Sequence, residues 1–306
     1  AAEGAGTSFV AEGVGVNYVD GNFTAVPDML AQLIDENGQS VQAYNNLADA
    51  IVAAADDCTV KLLGKIELSA CQAISGKKLT IDLNGFDISL NKDLTTIWLK
   101  DGELTIQDSS KDSAGMVFSD ATAISVSSGA VLNVKSGTVK GWTAVKNSGV
   151  VNLEGTANVQ AAAGYGVDCQ NGSTLNMTGG TVDTIGPIRD TADSIVKISG
   201  GEVTNYAYVT EVTGGTFKNL VLLTSGTIKN AVINGDFEWK CAETPTLEGV
   251  KFGEEAKVRN AGYRINAARD NIEKIAYAAT VTLVDGTEKS YEKVTDAVNA
   301  LTDGAT

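Results

Sequence analysis

The sequence predicts an all-β protein, a single-stranded parallel β-helix (solenoid) with small hairpin–helix caps, and three observations carry that expectation. From Leu104 to Phe237 one phrase recurs, apolar–x–Gly/Ser–Gly–x–apolar. It reads Val134-Lys-Ser-Gly-Thr-Val139, Met177-Thr-Gly-Gly-Thr-Val182, Ile198-Ser-Gly-Gly-Glu-Val203, Val212-Thr-Gly-Gly-Thr-Phe217 and Leu223-Thr-Ser-Gly-Thr-Ile228, with looser copies at Leu153–Val159 and Ile233–Phe237. A repeat this short buries its apolar face only against its neighbours, which is the logic of a solenoid. The composition agrees: 33 Gly, 3 Pro and 6% aromatics in 306 residues suit many short strands joined by tight turns. Finally, Val60–Leu63, Ile66–Leu68, Leu79–Leu83 and Phe86–Leu90 alternate apolar and polar, the period of half-buried strands.

The elements follow in order. Residues 1–30 hold one or two weak strands. Leu30–Tyr44 alternates around Asn37-Gly38, a hairpin signal. Leu47 to Ala55 carries apolar residues at helical spacing and reads as a short helix laid over the open solenoid end, where exposed strand edges need cover. The division is 1–58 for N-terminal strands, hairpin and capping helix, 59–258 for the β-helix, and 259–306 for a C-terminal hairpin–helix unit.

The apolar residue before each glycine turn marks one face: Leu83, Ile106, Val134, Leu153, Met177 and Ile198, at steps of 23, 28, 19, 24 and 21 residues. Each step is one coil of three short strands. Val212, Leu223 and Ile233 then follow at 14, 11 and 10, so the phrase is expected to mark two faces per coil from there, with 25 residues restoring a full circuit. Asn205, Asn219, Asn230 and Gly141 follow the phrase at matching positions, which predicts a repeated positive-φ turn and a ladder of stacked asparagines.

A second internal match lies at the C-terminus. Tyr291-Glu-Lys-Val294-Thr-Asp-Ala-Val298 repeats Tyr44-Asn-Asn-Leu47-Ala-Asp-Ala-Ile51 at a constant offset of 247, and Thr306 falls opposite Thr59. Asp285-Gly286 mirrors Asn37-Gly38, with one residue fewer between turn and tyrosine. Two readings stand: a second cap on the same solenoid, or the opening of a further tandem module in a longer chain, and the closeness of the match favours the latter.

The run Tyr44–Ile51, then Cys58-Thr-Val-Lys-Leu-Leu63, then Gly76-Lys-Lys-Leu-Thr-Ile-Asp-Leu-Asn-Gly85 resembles an opening found in large secreted proteins of Gram-positive bacteria. Those openings lead into right-handed parallel β-helices of the pectin-lyase-like superfamily. The resemblance implies a right-handed solenoid displayed outside the cell. It implies no single activity, because that superfamily holds lyases, hydrolases, tailspikes, adhesins and plain stalks.

Chemistry is thinly represented. With no His, neither common serine or cysteine triads nor a hydrolase Gly-His-Gly motif can be built. Cys58, Cys71, Cys169 and Cys241 form no Cys-x-x-Cys pair, so no zinc set is expected. They are read as small buried residues, with a Cys58–Cys71 disulfide as the competing reading. Of Arg189, Arg259, Arg264 and Arg269, only Arg189 falls within the regular coils, so Arg189 with Asp190 and Asp193 is the least poor catalytic set, on the pattern of a lyase arginine base. Asp82 and Asp87 are placed on outward positions as a weaker acid–base pair. Asp56-Asp57, Asp108 with Asp112, and Glu254-Glu255 are placed in turns; none has the spacing of a calcium loop, so Ca²⁺ is supported by no motif.

Trp142, Tyr165, Tyr206 and Tyr208 follow the phrase at comparable offsets. They read either as an aromatic column inside the solenoid or as a sugar-binding strip outside it; Trp98 and Trp239 read as core or cap. The net charge of −15 argues against nucleic acid and anionic membrane surfaces, and no apolar run reaches the ~18 residues of a membrane helix. The start at Ala1-Ala-Glu is compatible with export. The expected function is a non-enzymatic structural or adhesive module of a secreted bacterial surface protein, binding glycans or host proteins. A polysaccharide lyase or hydrolase is one alternative, and a phage fibre or tailspike segment, which would trimerise, is another.

Overall fold

The computed structural model describes residues 14–19, 22–186 and 194–301. It is an all-β parallel solenoid of about nine turns. The first face stacks Cys58–Leu62, Lys78–Asp82, Glu103–Gln107, Val131–Val134, Val150–Leu153, Thr174–Met177, Ile195–Ile198, Glu211–Val212, Thr227–Lys229 and Thr246–Glu248. Between successive rungs the chain turns three corners and lays strands on a second and a third face, which run together as one long sheet.

Alternation explains the core. On the first face Val60, Ile81, Ile106, Val134, Leu153, Met177, Ile198, Val212, Ile228 and Leu247 pair rung to rung as one inward column. The second face supplies a column from Ile66 to Phe252 and the third one from Ile97 to Val258. Burying each Val, Leu or Ile is worth roughly 1.5–3 kcal/mol, and every rung gains it only from the rungs above and below.

The face marker of the second rung is Ile81, not Leu83; Leu83 is buried at the corner two residues on. In the coherent copies of the phrase, the second small residue turns that corner. Gly137, Gly180, Gly201 and Gly215 all have positive φ (79, 79, 84 and 104°), where a Cβ is strained. Gly226 and Gly235 lie outside that region, and their copies sit at other corners. Ile233 accordingly pairs with Phe217 on the second face.

The 25-residue circuit expected after Ile198 is not formed. Ile198 pairs directly with Val212, so 14 residues close a whole coil. The economy comes from Glu202–Val209, one eight-residue strand that serves both the second and third faces without an intervening loop.

The asparagine register also differs from expectation. Of Asn205, Asn219, Asn230 and Gly141, only Asn230 has positive φ (48°). Asn219 Nδ2 instead donates to the carbonyl of Asn205 (3.0 Å). The side-chain ladder runs on the first face, where Asn176 donates to Asn152 (2.9 Å), Asn152 to Asn133 (2.7 Å) and Asn133 to Glu103 (2.9 Å).

At the N-terminal side, Val14–Val19 and Asn22–Pro27 form an antiparallel pair. Ala31–Ile34 and Ser40–Tyr44 form the hairpin around Asn37-Gly38, and Ala31–Ile34 also pairs antiparallel with the first rung. The helix Leu47–Ala53 is two residues shorter than expected. The Asn46 side chain caps its start by accepting from the Asp49 N–H, and Lys77 Nζ donates to the carbonyls of Val52 and Ala54 at its end.

Residues 259–301 hold two hairpins rather than one. Tyr263–Ile265 with Ile272–Lys274 closes the last coil: the Tyr263 ring meets Trp239 edge-on at 5.0 Å, and the Arg269 guanidinium donates to the carbonyls of Phe252, Gly253, Glu254 and Ala256. Ala279–Thr282 with Glu288–Tyr291 and the helix Val294–Asn299 then form the unit that repeats the N-terminal one.

Candidate functional site

Trp142, Tyr165, Tyr206 and Tyr208 lie outside the solenoid. Trp142 is 58% exposed, Tyr206 37%, and the other two are half-buried. The corner between the second and third faces brings them together. Trp142 closes the fourth rung's second-face strand, and its ring lies against Gly164, where a Cβ would stand 3.2 Å from it. Tyr165 follows immediately and reaches over the next rung to Gly186. A Cβ on Gly186 would stand 3.1 Å from the Tyr165 ring and 3.3 Å from that of Tyr208, so two tyrosines share the bare backbone of one glycine. Tyr206 and Tyr208 alternate outward around buried Ala207, with rings stacked at 6.5 Å and 26°.

Beyond Tyr206 the strip opens into a cleft of about 320 Å³ lined by Tyr206, Leu220, Val221, Asp236, Glu238 and Arg259. Arg259 pairs with Asp236, and Lys240 with Glu238. Asp236 holds the Arg259 guanidinium firmly charged, with Tyr206 and Glu238 adding to that field. From the coil of Trp142 to that of Arg259 the strip spans six rung steps, one of them bridged by rings over Gly186, which at ~4.8 Å per rung is about 29 Å. A larger depression of about 640 Å³ lies on another corner, but it is shallow and lined by Gly155, Thr156, Gly180, Thr181 and similar small residues, with Glu202 its charged group.

Beneath the strip lies Asp183, which the sequence did not single out. Burial pushes its carboxyl upward, against N–H donations from Ala161 and Thr184 that pull it down. A single raised acid does not make an acid–base pair.

Among the other candidates, Arg189, Asp190 and Asp193 lie outside the described residues. Asp82 is not an outward acid: it is 4% exposed and accepts from the N–H groups of Asn84 (3.0 Å) and Ser109 (2.9 Å), so its task is to tie two corners together. Asp108 does the same for Gly85, Ser110 and Gly115. Asp56 accepts from the Lys78 N–H, and Asp57 pairs with the Lys78 side chain. The four cysteines are free thiols; Cys58 and Cys169 are buried, with burial pushing Cys169 up to about 12, while Cys71 and Cys241 are half-buried and no Cys58–Cys71 bond exists. Trp239 belongs to the core, as expected. Trp98 does not: it is 43% exposed on the third face, its Nε1 donating to Ser127 Oγ (2.9 Å) with Lys100 Nζ 4.7 Å above the ring. Among the described residues no group of three or more His, Cys, Asp or Glu is placed to hold a metal ion, and no helix is long and apolar enough to cross a membrane. Compared with protein-family models, curated proteins and solved structures, the chain matches none.

Proposed function

We propose that this solenoid is a non-enzymatic structural and adhesive module of a secreted bacterial surface protein, and that its contact face is the strip from Trp142 to Arg259. One observation carries the reading: four aromatic side chains from three coils, and an acid–arginine cleft from the coils beyond them, lie along the outside of the third face and the corner that leads into it. Nothing in the core requires aromatics there, since Ala207, Val145 and Val167 fill the inward positions. Exposed tyrosine and tryptophan rings give apolar area with a polar edge, and a repeat one rung deep suits a polymeric ligand that gains by multiple weak contacts. A glycan chain fits that geometry, the rings facing sugar planes and the Asp236–Arg259–Glu238 cleft taking hydroxyls. The secreted, bacterial assignment rests on the resemblance of Tyr44–Gly85.

A glycan and protein array with the intact chain and a Tyr206→Ala/Tyr208→Ala variant tests the reading. The expected result is a glycan hit that the double variant weakens at least about tenfold, ~1.4 kcal/mol. Hits that ignore the double variant would remove the strip from the function. Product release from acidic or neutral polysaccharides would replace adhesion by catalysis, and a trimer by mass in solution would point to a fibre or tailspike.

A further inference from the structure

The C-terminal hairpin–helix repeats the N-terminal one strand for strand. Ala31 pairs with Tyr44 as Ala279 pairs with Tyr291, and the one-residue difference between the two copies is a bulge: Leu33 faces Gln42 but Ile34 faces Ser40, leaving Val41 extra, whereas Val281 and Thr282 face Lys289 and Glu288 in unbroken register. The copies differ in what lies against them. In the first, Ala31–Ile34 pairs along its free edge with Cys58–Leu62, and Leu47, Ala50 and Ile51 are buried. In the second, among the described residues, Ala279–Thr282 pairs within its two-stranded sheet only, and Val294, Val298 and Leu301 are 56, 57 and 46% exposed. This chain's own last coil is already closed by the hairpin of Tyr263 and by Arg269.

We infer that residues 279–301 are the N-terminal cap of a second parallel solenoid on the same polypeptide, whose opening rung pairs antiparallel with the edge of Ala279–Thr282 and covers Val294, Val298 and Leu301. The occupant is identified by the first copy. It is an extended strand with apolar residues at alternate positions, as Cys58, Val60 and Leu62 are, arriving a few residues after the helix, as Cys58–Leu62 follows Leu47–Ala53. The next corner of such a module should also carry a lysine reaching back to the helix C-terminus, as Lys77 does to Val52 and Ala54. Exposed edge strands and apolar helix faces of this kind are covered in stable proteins.

The test extends the intact chain after Thr306 by a second copy of residues 60–258 and follows amide exchange in peptides spanning 279–301. In the 306-residue chain these should exchange at least a hundredfold faster than 31–53; in the extended chain they should slow to the rate of 31–53. A Val294→Asp/Val298→Asp form of the extended chain should lose that gain. Unchanged exchange in an extended chain whose added coils are themselves protected would overturn the inference. Protection in the 306-residue chain that grows with its concentration would overturn it too, because the face would then belong to a second copy. Should the extended chain fail to fold, replacing residues 28–54 by 276–301 in the original chain asks the same question. A soluble solenoid supports the cap assignment, and aggregation matching that of a 28–54 deletion overturns it.

Discussion

Two regions of this molecule carry the same element order and differ most in what lies beneath them, a coil under the first and none under the second among the described residues. Residues 31–53 and 279–299 each fold as hairpin then helix, and in each an Ala (Ala50, Ala297) sits buried at the hairpin–helix contact. Only the first helix buries its neighbours in the stripe as well, because only there does a rung present Val60 and Leu62. A helix of six or seven residues is too short to stand on propensity, so its order comes from packing. Sequence similarity therefore sets the shape of the two units alike, and the solenoid sets their stability apart.

The sharpest way to break this comparison is to truncate equivalent side chains. Ile51 and Val298 occupy the same helical position, 4% and 57% exposed. Ile51→Ala should cost about 2–5 kcal/mol in urea unfolding of the solenoid. Val298→Ala should stay within about 0.5 kcal/mol. Comparable losses would mean that the second helix is already covered in this chain.

Acid separates the two regions along another axis. Coils are tied at their corners by buried carboxylates, while the C-terminal unit is joined to the hairpin that closes the last coil by an exposed one, Glu292 with Arg264. Burial pushes Asp108 upward, but donations from Ser110, Gly115 and Gly85 outweigh it and hold the carboxyl below its usual range. Its folded pKa being depressed, Asp108 stabilises the coils fully above its unfolded value near ~3.9 and loses that contribution as pH falls through the folded value. Asp108→Asn should cost about 1–3 kcal/mol at pH 7, since at least one N–H is left without its acceptor. The deficit should shrink in melts at pH 3 and below. Asp183, raised by burial, has the opposite sign, favouring the fold as pH drops through its folded value, and it cancels when the variant is compared with the parent. A deficit independent of pH would show that the corner is held by shape rather than by charge.

The sequence made the solenoid legible because its main constraints, alternation and a positive-φ glycine at one corner, are local. What it hid was set by more than one coil at a time. The short coil closing between Ile198 and Val212 depends on one strand bridging two faces, and spacing alone gave a 25-residue circuit instead. The Asn133–Asn152–Asn176 ladder had a usable signal, each asparagine standing one residue before a face marker, but polar residues inside strands read as generic outward positions. Trp98, Tyr206 and Tyr208 obey strand alternation, pointing outward between buried Ile97 and Leu99 and around buried Ala207, so parity carried a signal for them; Trp142 and Tyr165 stand at corners between strands, which alternation does not assign. Asp82 looked exposed by parity and is buried by the corner it ties.

The smallest effect concerns helix capping. Asn46 Oδ1 accepts from the Asp49 N–H at 2.8 Å, while Lys293, at the equivalent position, makes no side-chain cap. Asn46→Ala should cost about 1 kcal/mol, and it should register in global unfolding because the first helix is coupled to the coils. Lys293→Asn installs the missing acceptor three residues before Asp296, whose N–H is the counterpart of that of Asp49. It should slow amide exchange in 294–299 severalfold and leave the unfolding midpoint of the solenoid unmoved, since a gain confined to an uncoupled helix cannot reach the rungs. A shift of the global midpoint with Lys293→Asn would mean that the second helix and the solenoid unfold as one unit, and the difference between the two regions would then lie in exposure alone.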